Sequence, residues 1–166
     1  MLSVILNKRF NCISRAADML CLFLGEDYSF TAQGEQIDVA EYALHFQTQW
    51  RFRDGGTILL ASGDVYEPYN DNAPENWEYD PIGRADEQSS VFDVHAKKLM
   101  AKMQGSRVAE CFLSSANDVN IIFSNGVIFE QFTPTSVKSE EWRLIDYKNN
   151  SQTICYDEDG KLSREQ

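Results

Sequence analysis

The sequence predicts an α+β fold: one domain over residues 1–166, built as a mainly antiparallel, twisted β-sheet with two helices packed on it. Three observations carry this. From Ala43 to Arg53, Leu44, Phe46, Thr48, Trp50 and Phe52 alternate with His45, Gln47, Gln49, Arg51 and Arg53, the period of two of a half-buried strand. Asp54, Gly55 and Gly56 then turn the chain, and Thr57 to Ser62 returns as the paired strand. Further on, Asn125 and Gly126 lie between the alternating runs Val119–Phe123 and Val127–Phe132, a strong short hairpin signal. Finally, Phe92, Ala96, Leu99, Met100 and Met103 recur at helical spacing, with Ser89 and Ser90 placed to cap and Gly105 to stop the helix.

Taken in order, Ile13, Ala16, Ala17 and Leu20 recur at i, i+3, i+4 and i+7, which predicts a short amphipathic first helix. A switch to strand falls near Met19, since Leu20, Leu22 and Leu24 fit a buried strand as well as a helix end. Gly25 ends that run. Tyr28, Phe30 and Ala32 continue as a strand to a turn at Gln33 and Gly34, and Gln36 to Val39 leads, past a bend near Ala40, into the central strand. The second helix, Ser90 to Gln104, presents one apolar stripe and so should lie on the face carrying Leu44, Phe46 and Trp50. Trp50 and Arg51 face opposite ways, which predicts a buried indole and an accessible guanidinium. In the last third, Arg107 to Ser114 alternates Val108, Glu110 and Phe112 against Ala109, Cys111 and Leu113. Asn117 and Asp118 turn the chain, Pro134 ends the next hairpin, and Trp142–Tyr147 pairs with Gln152–Tyr156. The polar tail 157–166 should fray.

The 166 residues, 43% hydrophobic and 12% aromatic, suffice for one substantial core and are few for two domains. Fifteen Lys plus Arg against twenty-six Asp plus Glu give a net charge of −11, which opposes direct binding to nucleic acid or to an anionic membrane and favours a basic partner. Cys12, Cys21, Cys111 and Cys155 form no C-x-x-C pair, so a zinc site is not expected. The apolar runs Leu2–Leu6 and Met19–Leu24 lack the length and flanks of a signal peptide or membrane span. The expected location is the cytoplasm.

No nucleophile elbow, phosphate-binding loop or H-E-x-x-H spacing occurs, and an enzyme is not expected; the alternative enzyme reading is an acid-dependent one, which would need a cleft with acids of perturbed pKa. His45 and His95 read as structural. The acids Asp157, Glu158 and Asp159, or Glu67 with Asp71, have the oxygen chemistry of a Mg²⁺ or Ca²⁺ site but not the spacing, and read as solvated charge; neither metal nor cofactor is expected. Arg51 and Arg53, with His45, Gln47 and Gln49, form a polar strand face that either grips a carboxylate or phosphate, as a small ligand-binding or regulatory module would, or pairs with nearby acids. Residues 64–88 are the richer lead. They lack a sustained apolar period and contain three prolines, which predicts a long surface excursion, and their aromatics argue that it is ordered. Eight acids against Arg84 alone give this segment −7 of the net charge. Asp64, Glu67, Tyr69, Asp71, Glu75, Trp77, Glu78, Tyr79, Asp80, Asp86 and Glu87 are the candidate partner-binding residues. Aromatics would serve as anchors, and carboxylates would steer a basic protein. A solvated loop pinned by its aromatics is the other reading.

The blocks Ser14–Gly25 (SRAADMLCLFLG), Tyr42–Phe52 (YALHFQTQWRF), Ile58–Pro68 (ILLASGDVYEP) and Phe123–Leu144 (FSNGVIFEQFTPTSVKSEEWRL) resemble a group of small bacterial cytoplasmic proteins. Some of that group are similar to immunity proteins of contact-dependent growth inhibition and related polymorphic toxin systems. The resemblance implies a single domain without an active site that binds a cognate toxin domain and blocks it. Many such toxins are similar to nucleases, whose clefts are basic. No individual binding residue is carried over from the resemblance.

Overall fold

The strands divide into two antiparallel sheets, and the division falls inside the segment that the alternation marks as one central strand. The computed structural model describes residues 2–32, 35–79, 89–137, 139–149, 152–156 and 162–165. In it β1 (Phe10–Ala16), β2 (Met19–Ala32), β3 (Glu35–Phe46), β9 (Trp142–Asp146), β10 (Gln152–Tyr156) and β11 (Leu162–Glu165) form the first sheet in that spatial order. The second runs β5 (Thr57–Ala61), β4 (Gln49–Asp54), β8 (Val127–Phe132), β7 (Val119–Phe123), β6 (Val108–Leu113).

The crossing from one sheet to the other occurs at Gln47 and Thr48. Here the Gln47 N–H donates to the Glu141 carbonyl (3.2 Å), and the Thr48 hydroxyl accepts from Gln131 Nε2 (3.0 Å). The side-chain phase survives the crossing, so Leu44, Phe46, Trp50 and Phe52 are all buried. Phe46 and Phe52, from different sheets, both pack on Phe129, at 4.7 and 4.9 Å between ring centroids. The sheets thus face each other across one continuous apolar cluster. Their edges meet where Arg9 bridges Arg107, with Asn7 N–H donating to the Val108 carbonyl and Val108 N–H to the Lys8 carbonyl, both at 2.9 Å.

The expected first helix is instead the β1–β2 hairpin. Ala16 pairs with Met19 across Ala17 and Asp18, and Ala17 takes a positive φ of 53°. Ile13 and Leu20 do face the core, but the two alanines that completed the helical spacing are exposed. Gly25 does not end β2 either. At φ 95° it sits in a bulge, its N–H donating to the Arg9 carbonyl (2.7 Å), after which β2 continues to Ala32. The turn expected at Gln33 and Gly34 lies outside the described residues.

Among the described residues the one α-helix is α1, Val91–Met103. Ser90 caps it: its hydroxyl accepts from the Asp93 N–H (3.3 Å) and the Asp93 carboxylate accepts from the Ser90 N–H (3.0 Å), a reciprocal capping box. Phe92, Ala96, Leu99 and Met103 form its buried stripe. Phe92 meets Trp50 edge-on at 6.0 Å, and the helix lies along β5 and β1.

Val119–Phe123 and Val127–Phe132 are strands with the bounds the sequence predicts, and β9 pairs with β10. In β6 a bulge between Val108 and Glu110 shifts the alternation, so Val108 is buried while Glu110 and Phe112 are exposed. Of the tail expected to fray, Leu162–Glu165 forms β11, antiparallel to β10; it pairs the backbone edge that β10 would otherwise leave open.

Candidate partner-binding surface

Both ends of the 64–88 excursion are fixed by backbone pairing. Pro68 bridges Ser90, the Tyr69 N–H donates to the Ser89 carbonyl (2.9 Å), and the Val91 N–H donates to the Glu67 carbonyl (2.8 Å). Between these ends the chain makes local turns, with Ala73 N–H to the Asn70 carbonyl (3.0 Å) and Trp77 N–H to the Pro74 carbonyl (2.9 Å). Residues 80–88, including the nominated Asp80, Asp86 and Glu87, lie outside the described residues.

Arg15, which the sequence reading did not single out, ties this segment to the fold. From β1 its Nε and Nη2 reach the two Asp93 oxygens (3.0 and 3.2 Å), while Nη2 also donates to the Tyr79 carbonyl (2.9 Å) and Nη1 to that of Ala17 (2.8 Å). One guanidinium therefore joins the hairpin turn, the excursion and the start of α1. Burial works to raise the Asp93 pKa, but the hydrogen bonds from Arg15 and Ser90 prevail and hold it below the ordinary 3.8.

The nominated residues separate by role. Asp64 is half-buried and structural: its carboxylate accepts from the Ala61 N–H (2.9 Å), closing the 3₁₀ turn Ser62–Val65. Tyr79 packs partly buried against the core and meets Tyr66 edge-on at 4.9 Å, and Trp77 is half-buried. Glu67, Asp71, Glu75 and Glu78 are exposed, as is Tyr69 at 48%. The structure adds Tyr66, 49% exposed, whose hydroxyl donates to Asp18 in the β1–β2 turn (2.6 Å). That hydrogen bond, with burial, pushes the phenol pKa up to about 12. The result is a segment that carries four exposed carboxylates together with partly exposed aromatic rings. Tyr66 is one of the aromatics of residues 64–88, whereas its link to Asp18, 48 residues away, has no local signal.

The alternative polar face is divided by the crossing at Gln47 and Thr48. Arg51 and Arg53 lie on the second sheet and both pair with Glu130, at 2.7 and 3.0 Å, while the Arg51 guanidinium also lies 4.9 Å from the Phe132 ring centre. Pairing with a nearby acid is thus what these arginines do. His45 lies on the first sheet beside Cys21 and Arg143 in register. Burial, then Arg143, lowers its pKa below 6.5. Cys12, Cys21 and Cys111 are free thiols whose pKa burial raises. Among the described residues no three His, Cys, Asp or Glu side chains gather as a metal site, and no helix is long and apolar enough to cross a membrane.

Comparison of the chain with models of protein families, with curated proteins and with solved structures finds no match. The functional reading therefore rests on the chain's own residues.

Proposed function

We propose that this chain is an immunity protein, which binds a cognate toxin domain with a basic, nuclease-type cleft and neutralises it by occupying that cleft. The observation that carries the reading is the surface of residues 66–79: exposed Glu67, Asp71, Glu75 and Glu78 beside Tyr66 and Tyr69, on a segment pinned at its base. Pinning matters because a pre-ordered loop loses less conformational freedom on binding. Carboxylates around a basic cleft speed encounter, and aromatic rings that become buried slow dissociation. The net charge of −11 acts in the same direction at longer range.

The test is co-expression with the product of the adjacent gene, scored by cell survival and by direct binding of the purified pair. Protection together with a stoichiometric complex is the expected outcome. Failure of the unaltered protein both to bind and to protect removes the reading.

A further inference from the structure

The side of α1 that faces β5 has the opposite character to the excursion. His95, Lys98, Leu99 and Lys102, spaced i, i+3, i+4 and i+7, share one helix face. With Ile58 and Leu59 of β5 they line an open groove of about 260 Å³. Its floor is Leu99, 2% exposed, and its wall is Ile58, which at 56% is among the most exposed large apolar side chains of the described residues. Small-molecule sites run from about 300 Å³ upwards and enclose most of their ligand. This groove is open and shallow, and has room for an apolar side chain of a partner.

Its rim is cationic. Lys98 and Lys102 line it, two of the fifteen Lys and Arg of an otherwise acidic protein. The one acid of α1, Asp93, is held by Arg15 at the far end of the helix. Lys102 is shared with Asp54 at 2.8 Å, and the Lys98 side chain is exposed. An apolar seat with a lysine rim complements an apolar side chain flanked by carboxylates.

We infer that the α1–β5 groove is a docking site for an acidic protein segment, which inserts one apolar side chain between Ile58 and Leu99 while neighbouring carboxylates pair with Lys98 and Lys102. The site stands apart from the toxin reading and is tested without a toxin. His95 meets Tyr69 edge-on at 6.3 Å, so the groove and the acidic surface adjoin. A single partner with one basic and one acidic patch would be held in one orientation across both.

The experiment is an amide-resolved NMR titration of the whole protein at low salt with a synthetic peptide carrying a central leucine between paired glutamates. Saturable shifts confined to Ile58, Leu59, His95, Lys98 and their neighbours are expected. Substituting serine for the peptide's leucine should abolish them, as should lysines for its glutamates. Lys98→Glu should weaken binding about fivefold or more, and Ile58→Ser should do the same. Both positions are exposed, so the fold should persist in each variant. Lack of saturable shifts at these amides overturns the proposal, and so does equal binding of the lysine peptide. If the same amides shift with protein concentration alone, the occupant is a second copy of this chain and the acidic-segment proposal is wrong.

Discussion

Gly25 lies against the Glu41 side chain, where there is no room for a side chain of its own. A Cβ at Gly25 would lie 2.7 Å from the Glu41 Cβ, and the backbone there has a φ of 95°. Gly25→Ala combines a clash with an unfavourable conformation and should cost about 2 kcal/mol or more in chemical denaturation. Glu41 itself, 7% exposed, accepts two hydrogen bonds from Lys8 Nζ (2.8 and 2.7 Å), with Lys148 Nζ at 3.5 Å. Burial works to raise the Glu41 pKa, but the lysines lower it below 4.5, while the bond to Glu41 raises the Lys8 pKa above 10.5. The carboxylate's contribution is complete above pH 4.5 and is lost as the pH falls through its lower folded-state value. The ammonium's contribution is complete below pH 10.5 and is lost as the pH rises through its higher one. Glu41→Gln should lower stability at neutral pH by about 1 to 3 kcal/mol. It should also make the decline of melting temperature shallower at both pH extremes. Unchanged pH dependence would remove the pair as a stabilising feature.

Among the elements, those specified by local chemistry are the ones the sequence makes legible. The β7–β8 hairpin follows from Asn125 and Gly126, and α1 follows from the Ser90 cap and a single apolar stripe. The division into two sheets is illegible because alternation reports which way side chains point and not which strand is the neighbour; the crossing at Gln47 and Thr48 preserves the phase. The false first helix rested on four matches in a window short enough for two exposed alanines to supply half of them. Trp50 is buried at 2% exposure, whereas the Arg51 side chain remains 38% exposed, as the alternation requires. Trp50→Ala would remove edge-on contacts to both Phe52 (6.2 Å) and Phe92 (6.0 Å), loosening α1 from the sheet. It should cost about 3 to 5 kcal/mol, with faster amide exchange in α1. An unchanged unfolding midpoint would contradict the packing described.

At the scale of the whole molecule, the acidic excursion was legible from composition, but its attachment was not. Arg15 and Asp93 are 78 residues apart, and a bond that long has no local pattern. The attachment is what makes the segment a surface and not a tether, and it separates two kinds of residue there. Asp64 and Tyr79 hold the segment, and Glu67, Asp71, Glu75 and Glu78 face solvent. Substituting the second group should leave stability within about 0.5 kcal/mol, so changes in binding would report on the interface and not on folding. The most direct measurement is the association and dissociation rates of the pure protein with the product of the adjacent gene, between about 0.05 and 0.5 M salt, across which the Debye length falls well below 10 Å. The association rate should fall steeply with salt. Glu75→Lys with Glu78→Lys should slow association and flatten that salt dependence, and Trp77→Ala should mainly speed dissociation. Rates unaltered in the combined variant, with the same salt dependence as the unsubstituted protein, would contradict the assignment of this surface as the toxin-binding site.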